Sequence, residues 1–424
     1  MKRRHQVVLF AVLLLSLTIL SPSFDFRGSQ HNEGRNQEKD TYPGTSFRSE
    51  DTHAPLNIVV AMSKKEFAAF QKLAKEVAAS RYIEVNVRNV KPEEFKDVLD
   101  EEFSLGDNGD IILLDSEQVQ YYARKGYLVP LNGTTLSKSL GDTAAELRGM
   151  TEWNGYQWGL PFDFDPYVFA ASASLLNKAG VQGLPQTRHQ WSKLIKTSQT
   201  EGTPLIAINI DDIYGAGAWM NYLTPGMSPD QILNISSSSR VIELQEGISL
   251  LNELRPQIMT LSADPVLSAS DYKVKTPMFV STLSRILQAD ETAEGQGTFK
   301  SPLPLQSLQA VEARSLVITS GSVEVDAASR WIEGMTAAAV QRNWHKQTKR
   351  LPAGKQWNEQ EAKNMDGHYG TVQNQSWFSK NFSPLQWAES RVIILRFKKQ
   401  VHQVLTGEIN AAQYVSSIQK AYTP

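Results

Sequence analysis

The chain contains no cysteine. Disulfides, thiolate nucleophiles and cysteine-held metals are therefore excluded. A surplus of either charge is also missing: 43 Lys and Arg stand against 45 Asp and Glu, a formal net charge of −2. A dedicated nucleic-acid binder carries a strong basic excess, so that class is disfavoured. Histidine is scarce, and none of the seven falls in an HExxH or comparable spacing. A zinc site has little to stand on, and no cofactor is called for. There is no GxSxG, no P-loop and no GxGxxG. No apolar run reaches the ~20 residues that span a bilayer comfortably.

The longest apolar run lies at the N-terminus. Lys2, Arg3 and Arg4 precede Val7–Leu20, roughly 14 residues, within the 7–15 of a signal-peptide core. The small residues that follow, Ser21, Pro22 and Ser23, make a poor cleavage site. Residues 1–23 thus read as an export signal or a retained N-terminal anchor. Residues 24–54 are polar, rich in Gly, Ser, Asn and Asp, and without periodicity. Such a composition cannot bury enough apolar surface to fold and predicts a disordered tether.

From Leu56 the pattern changes. Leu56–Met62 reads as an apolar strand. Lys64–Ala79 follows as a helix with Phe67, Phe70, Leu73, Ala74 and Val77 on one face. Tyr82–Val90 alternates as a strand, Lys91–Phe103 has helical spacing, and Asp110–Leu114 is a continuous apolar run, as in a strand covered on both faces. Glu117–Lys125 reads as a helix ended by Gly126. This alternation predicts an α/β fold with a mostly parallel sheet. Gly159–Ala170 reads as extended, Thr187 with Gln190 as a capping box, and Leu205–Ile210 as a buried strand. Further helices are expected at Arg240–Leu254, Ala327–Val340, Ala388–Leu405 and Ala411–Tyr422. Shorter elements are expected at Pro277–Leu287, Ser301–Leu305 and Leu316–Ser320. At 424 residues the chain is too long for one core, so two lobes are the natural expectation.

Several short motifs recur in an order that matches a known family. They are Gly109-Asp110-Ile111-Ile112, Gly126–Leu131 (GYLVPL), Trp153–Pro161 (WNGYQWGLP), Leu175–Val181 (LLNKAGV), Leu184–Leu194 (LPQTRHQWSKL) and Ala327–Met335 (AASRWIEGM). On these the chain resembles the family 1 extracellular solute-binding proteins of ABC importers, which are maltodextrin-binding-protein-like. The resemblance runs from about Leu56 to the C-terminus. It implies a two-lobed periplasmic-binding-protein-like fold, each lobe a mostly parallel sheet flanked by helices, with the ligand cleft at the hinge. Lobe one would take 55–164 plus 283–342, and lobe two 167–282 plus 343–424. The resemblance further implies a monomer that binds a carbohydrate, hands it to ABC permease subunits and breaks no bond. Three departures qualify this. No lipobox cysteine follows the signal, so a lipoprotein is excluded. A Tyr-Asn-Lys run common in the family is replaced by Phe169–Ser172. The segment Lys275–Met278 lacks the tryptophan that usually follows it. These departures also fit a surface sensor not coupled to import.

A sugar is held by flat aromatic surfaces beside carboxylates and amides, and in open parallel sheets ligands sit at the strand C-termini. On that logic four clusters stand out. Ser63 and Lys64 follow the first strand, with helix capping by Ser63 as the plain alternative. Asp115 and Glu117 follow the third, again with capping as the alternative. Trp158, Asp163, Asp165 and Tyr167 lie on the segment expected to cross between lobes, where a solvated hinge is the rival. Asp212, Tyr214 and Trp219 follow Leu205–Ile210. By resemblance, Tyr214 corresponds to a cleft tyrosine and Trp387 to the tryptophan that stacks on sugar. Trp377 lies close by, and core packing is the alternative for each tryptophan. Asp163 with Asp165 could suggest a glycosidase. Two carboxylates on one face of one strand are, however, a poor match to opposite sides of a sugar ring.

Overall fold

The computed structural model describes residues 54–131, 136–212, 215–222, 246–262, 278–293, 305–355 and 391–416, less a few single positions. The signal or anchor, the tether and the closing helix at 411–422 lie wholly or largely outside these. Of the expected helix Arg240–Leu254, positions 246, 247 and 249–254 are described and are helical, and the rest lie outside. No described helix is long and apolar enough to cross a membrane. Contacts divide the chain after Asp51, and the described residues all belong to the unit from Thr52 onward.

The first half of this unit is built on β1 (Leu56–Ala61), α1 (Lys64–Ser80), β2 (Val85–Val90), α2 (Phe95–Leu105), β3 (Ile111–Asp115) and α3 (Val119–Arg124). β1 pairs in parallel with both β2 and β3. The apolar runs have two faces to fill. Ile58, Val60, Ile111 and Leu113 pack into one core with Phe70, Leu73 and Trp331. Val59, Ile112 and Leu114 point the other way, against Leu99, Phe103 and Tyr122. That alternation is why these strands read as unbroken hydrophobic runs. The Gly109-Asp110 motif has a structural reason. A Cβ at Gly109 would meet Asn57 O at 2.9 Å. Asp110 Oδ2 accepts from Asn57 N and its Oδ1 from Ser322 Oγ, fixing β1, β3 and the return loop together.

Next come α4 (Ser137–Gly141), α5 (Ala145–Thr151) and a small hairpin, β4 (Glu152–Trp153) with β5 (Tyr156–Gln157). The chain then enters β6 (Leu160–Ala171), continues through α6 (Ala173–Ala179) and α7 (Arg188–Glu201), and reaches β7 (Ile206–Asn209), β8 (Ile258–Leu261) and β9 (Met278–Thr282). The expected Thr187–Gln190 capping box starts α7. α8 (Leu283–Ala293) leads back toward β10 (Leu305–Ile318), which is followed by α9 (Val325–Met335), α10 (Ala338–Thr348), β11 (Leu351–Pro352) and α11 (Arg391–Thr406).

The sheet order is β2-β1-β3-β10-β6-β9-β7-β8, with β11 on β6. Two features differ from the sequence expectation. β10 is one long strand where two short pieces were expected at 301–305 and 316–320, and it is antiparallel to both β3 and β6. Polar residues at Gln306, Ser307, Gln309, Glu312 and Arg314 interrupt its apolar pattern. The expected helix Ala327–Val340 is two helices, broken at Thr336–Ala337. β6 and β10 are the crossing elements. The first part of β6 pairs with β10 beside β3, and its last part pairs antiparallel with β9. The second half carries its own core, with Trp191, Leu194, Ile206, Ile208 and Trp219 at its centre.

Candidate functional site

β1 and β3 run toward the crossing strands from one half, and β7 runs toward them from the other. At the level of Asp163–Tyr167 and Glu312–Arg314, the end of β3 meets β10 at Asp115 and Arg314 and the end of β9 meets β6 at Thr282 and Tyr167, while the turn after β7 reaches β6 through the Tyr167–Asp212 bond. Strand C-termini at a change of sheet direction are where open α/β sheets bind ligands.

The floor of this place is charged and buried. Asp163 is fully buried. Arg314 grips it through Nε and Nη2, Arg350 through Nε at 3.0 Å, and Trp344 donates its Nε1–H at 2.8 Å. Burial alone would raise its pKa. The two guanidinium groups and their hydrogen bonds outweigh that and hold it at about 2. Arg314 also reaches Glu66 at 3.5 Å, and the attraction overcomes burial and lowers the Glu66 pKa. Asp165 accepts from Ser284 N at 2.9 Å and Ser284 Oγ at 2.5 Å, with Arg350 Nη1 at 3.3 Å. Its pKa is raised, first by burial and then by Glu312. Both carboxylates do point to one side, as their spacing predicts. Their partners are two arginines, a tryptophan and a serine of the chain itself.

Toward the second half the balance turns acidic. Tyr167 Oη lies 2.5 Å from Glu312 Oε1 and 2.9 Å from Asp212 Oδ1. A phenol has one proton to donate, so these two carboxyls share a donor that satisfies one of them. Asp212 also accepts from Gly215 N at 3.0 Å, and Arg285 Nη1 stands 3.7 Å away. Burial, then repulsion from Glu312, pushes the Asp212 pKa up to about 6.

Asp115 ends β3, opposite Arg314 in the ladder. Its side chain is exposed to solvent and makes no capping bond to the turn that follows. Enough protein nevertheless surrounds its carboxyl to push its pKa up to about 6, with Glu312 adding to the shift.

The other predicted residues fall as follows. Ser63 caps α1 in a capping box with Glu66, the plain alternative. Lys64 is exposed and Glu117 half-buried at the rim of the same strand ends. Trp158 is half-buried, donates to Trp153 O at 2.9 Å and packs against the hairpin rings of Trp153 and Tyr156. Trp219 is a core residue with no exposed surface, stacked on Phe169 at 5.1 Å between centroids. Tyr214, Trp377 and Trp387 lie outside the described residues. The sequence reading missed Glu66, Ser284, Arg285, Glu312, Arg314, Trp344 and Arg350. One signal was available: Glu312 and Arg314 alternate within Val311–Ile318, a stretch apolar but for these two and Ser315, and charges drawn toward a sheet interior come paired.

Two sheet halves joined by crossing strands, with polar groups gathered at the facing strand ends, define the class of two-lobed solute binders. A family model for the bacterial extracellular solute-binding proteins matches residues 67–371, and the chain belongs to that family. The fold is shared with the GacH receptor of Streptomyces glaucescens, solved unliganded and with acarbose. The two are 17% identical, cover 87% of this chain and 98% of that one, and give a TM-score of 0.65. Maltose-bound MalE3 of T. maritima is 16% identical over 87% and 98%, with a TM-score of 0.63. The bacterial solute receptor AcbH, which prefers β-D-galactopyranose, is 14% identical with the same coverage and a TM-score of 0.66. No curated protein sequence is recognisably similar to this chain.

Proposed function

We propose that this protein is the extracytoplasmic binding component of an ABC importer and captures a carbohydrate between its two sheet halves. Lobe one would comprise 55–164 plus 283–342, and lobe two 167–282 plus 343–424. The observation that carries the reading is Asp115. It is a solvent-reachable carboxylate at a strand end, without a hydrogen bond from any described residue, beside Glu312 and across the crossing strands from Asp212. Such groups hold sugar hydroxyls. The fold relatives solved with acarbose and with maltose, and the one with a preference for β-D-galactopyranose, support the carbohydrate class. Capture would proceed by rotation of the halves about β6 and β10, a hinge closure. The closed form would dock on permease subunits. Function by binding, without turnover, fits the floor: Asp163 and Asp165 are tied to Arg314, Arg350 and Ser284 and are not placed to attack a substrate.

A thermal-shift screen with acarbose, maltose, galactose and raffinose tests this. A ligand at about 100 times its Kd stabilises by about 2.7 kcal/mol. Asp115→Asn should reduce the shift for the sugar that binds. No shift from any carbohydrate, or one unchanged in Asp115→Asn, would remove the assignment of this site.

A further inference from the structure

Tyr167 makes two contacts with one hydroxyl. Its Oη lies 2.5 Å from Glu312 Oε1 and 2.9 Å from Asp212 Oδ1. Each of these separations is that of a hydrogen bond, and each bond needs a proton of its own. The phenol carries one, and two ionised carboxylates carry none. The arrangement is therefore complete only when a second proton, or a donor from outside, joins it.

The deficit falls on Asp212. Glu312 has the shorter contact and takes the phenol proton. Asp212 Oδ1 keeps the Gly215 N–H at 3.0 Å, and Arg285 Nη1 faces Oδ2 at 3.7 Å, beyond the reach of a hydrogen bond. Among the described residues, the groups that face Asp212 are Tyr167 from β6, Glu312 from β10, Arg285 from α8 and the Gly215 N–H of its own turn. Burial first, and Glu312 second, place its pKa at about 6. Asp212 follows the C-terminal end of β7, where solutes approach an open α/β sheet, and 14% of its side chain is exposed. In mild acid a proton from water makes up the deficit. A solute hydroxyl can make it up instead, and it bonds an ionised carboxylate roughly twice as strongly as a neutral acid.

We propose that capture and proton loss are linked at Asp212: a hydroxyl of the bound solute takes the place of the proton, so that the protein binds strongly at neutral pH and lets go in mild acid. This rests on the capture of a carbohydrate in the gap between the halves, proposed above. The free protein holds the proton below about pH 6, and the solute favours the ionised form. Binding in that range therefore discharges a proton to the buffer, and affinity falls about tenfold for each pH unit below 6. Tyr167 and Glu312 are positioning residues here. They commit the phenol proton elsewhere and leave Asp212 in need of a donor.

Titration calorimetry of the full chain with maltose, D-galactose and raffinose tests the proposal, because none of these sugars ionises near neutral pH. Runs at pH 5.5 in two buffers of different ionisation enthalpy count the protons released. A group with a pKa of about 6 is protonated in roughly three-quarters of the molecules at that pH. Asp212→Asn should therefore lower the count by roughly three-quarters of a proton. Asp115 is unaltered in that variant, so its own titration drops out of the difference. The variant should bind within about twofold of the wild type at pH 5 and about tenfold more weakly at pH 7.5. A loss of packing alone would weaken both alike. Binding without proton release, or a release unchanged in Asp212→Asn, would overturn the inference and leave the carbohydrate reading standing. Binding by none of the three sugars would also overturn it, and the thermal-shift screen then decides the carbohydrate reading separately. If Asp212→Asn does not fold, the count in Asp115→Asn decides: a release retained there supports the linkage, and one lost there overturns it.

Discussion

Replacing Asp212 with asparagine should make the protein more stable at neutral pH and should not do so in acid. Asp212 is wedged between Tyr167, Glu312 and Gly215, with Arg285 at 3.7 Å too distant to neutralise it fully. Its pKa is about 6 in the fold, against an unfolded value near 3.9. Between those values the native state holds a proton that the unfolded chain has released. Stability therefore falls as pH rises from about 4 to about 6, and the loss is complete above that window. Two pKa units correspond to about 3 kcal/mol. Little discount for solvent is due, because the Asp212 side chain is 14% exposed. An asparagine keeps an oxygen for the Gly215 N–H and carries no charge at any pH. Urea unfolding of both proteins at pH 4.5 and pH 7.5 measures the effect. The difference in stability should move in favour of Asp212→Asn by about 2–3 kcal/mol between the two conditions. A difference that is the same at both pH values would refute the electrostatic reading of this cluster. Asp115 titrates in the same range but is common to both proteins, so its contribution cancels.

Other outcomes follow from the same floor and core. Arg350→Met leaves Asp163 and Asp165 short of a buried partner and should cost about 3–5 kcal/mol in urea unfolding at pH 7. Adding Asp163→Asn should recover part of that loss, because less unpaired charge remains. Trp219→Ala should cost about 3–5 kcal/mol by opening a void beside Phe169 and Trp191, yet any sugar that binds the folded variant should keep its affinity in titration calorimetry. Acidification acts through Asp163 with the opposite sign to Asp212. Its folded pKa of about 2 lies below the unfolded value, so the stability it contributes is present above about pH 4 and is lost as pH falls through 2. The Asp163→Asn variant should show a shallower acid limb in a pH series of unfolding midpoints.

The parts of the fold legible in the sequence are those where burial is two-sided and local. Ile111–Leu114 reads as a covered strand because helices pack on both its faces, and Ser63 and Thr187 announce α1 and α7 through caps formed within three residues. β10 was not legible, because its polar positions serve partners far away along the chain. Arg314 meets Asp163 across 151 positions and Arg350 meets it across 187, separations that no local pattern encodes. The polar cluster proposed as the site was legible in part for the same reason. Asp115, Asp163, Asp165, Tyr167 and Asp212 were found from strand ends and spacing, whereas the cations that set their behaviour arrive from β10, α8 and the turn after α10. Trp219 shows the opposite failure: an aromatic ring near strand-end acids suggests a stacking platform, and here the apolar surroundings of Phe169, Trp191 and Tyr222 claim it for the interior.

The ladder between β6 and β10 shifts register twice, between Ser307 and Val311 and again between Arg314 and Ser315. Paired backbone cannot slide without breaking every rung at once, but it can pivot where rungs are skipped. The wider of the two interruptions lies on the stretch that links the sheet's halves. On the proposed reading, closure around a guest would be a single swivel about a fixed axle. Selectivity would then depend on what that one arc brings face to face.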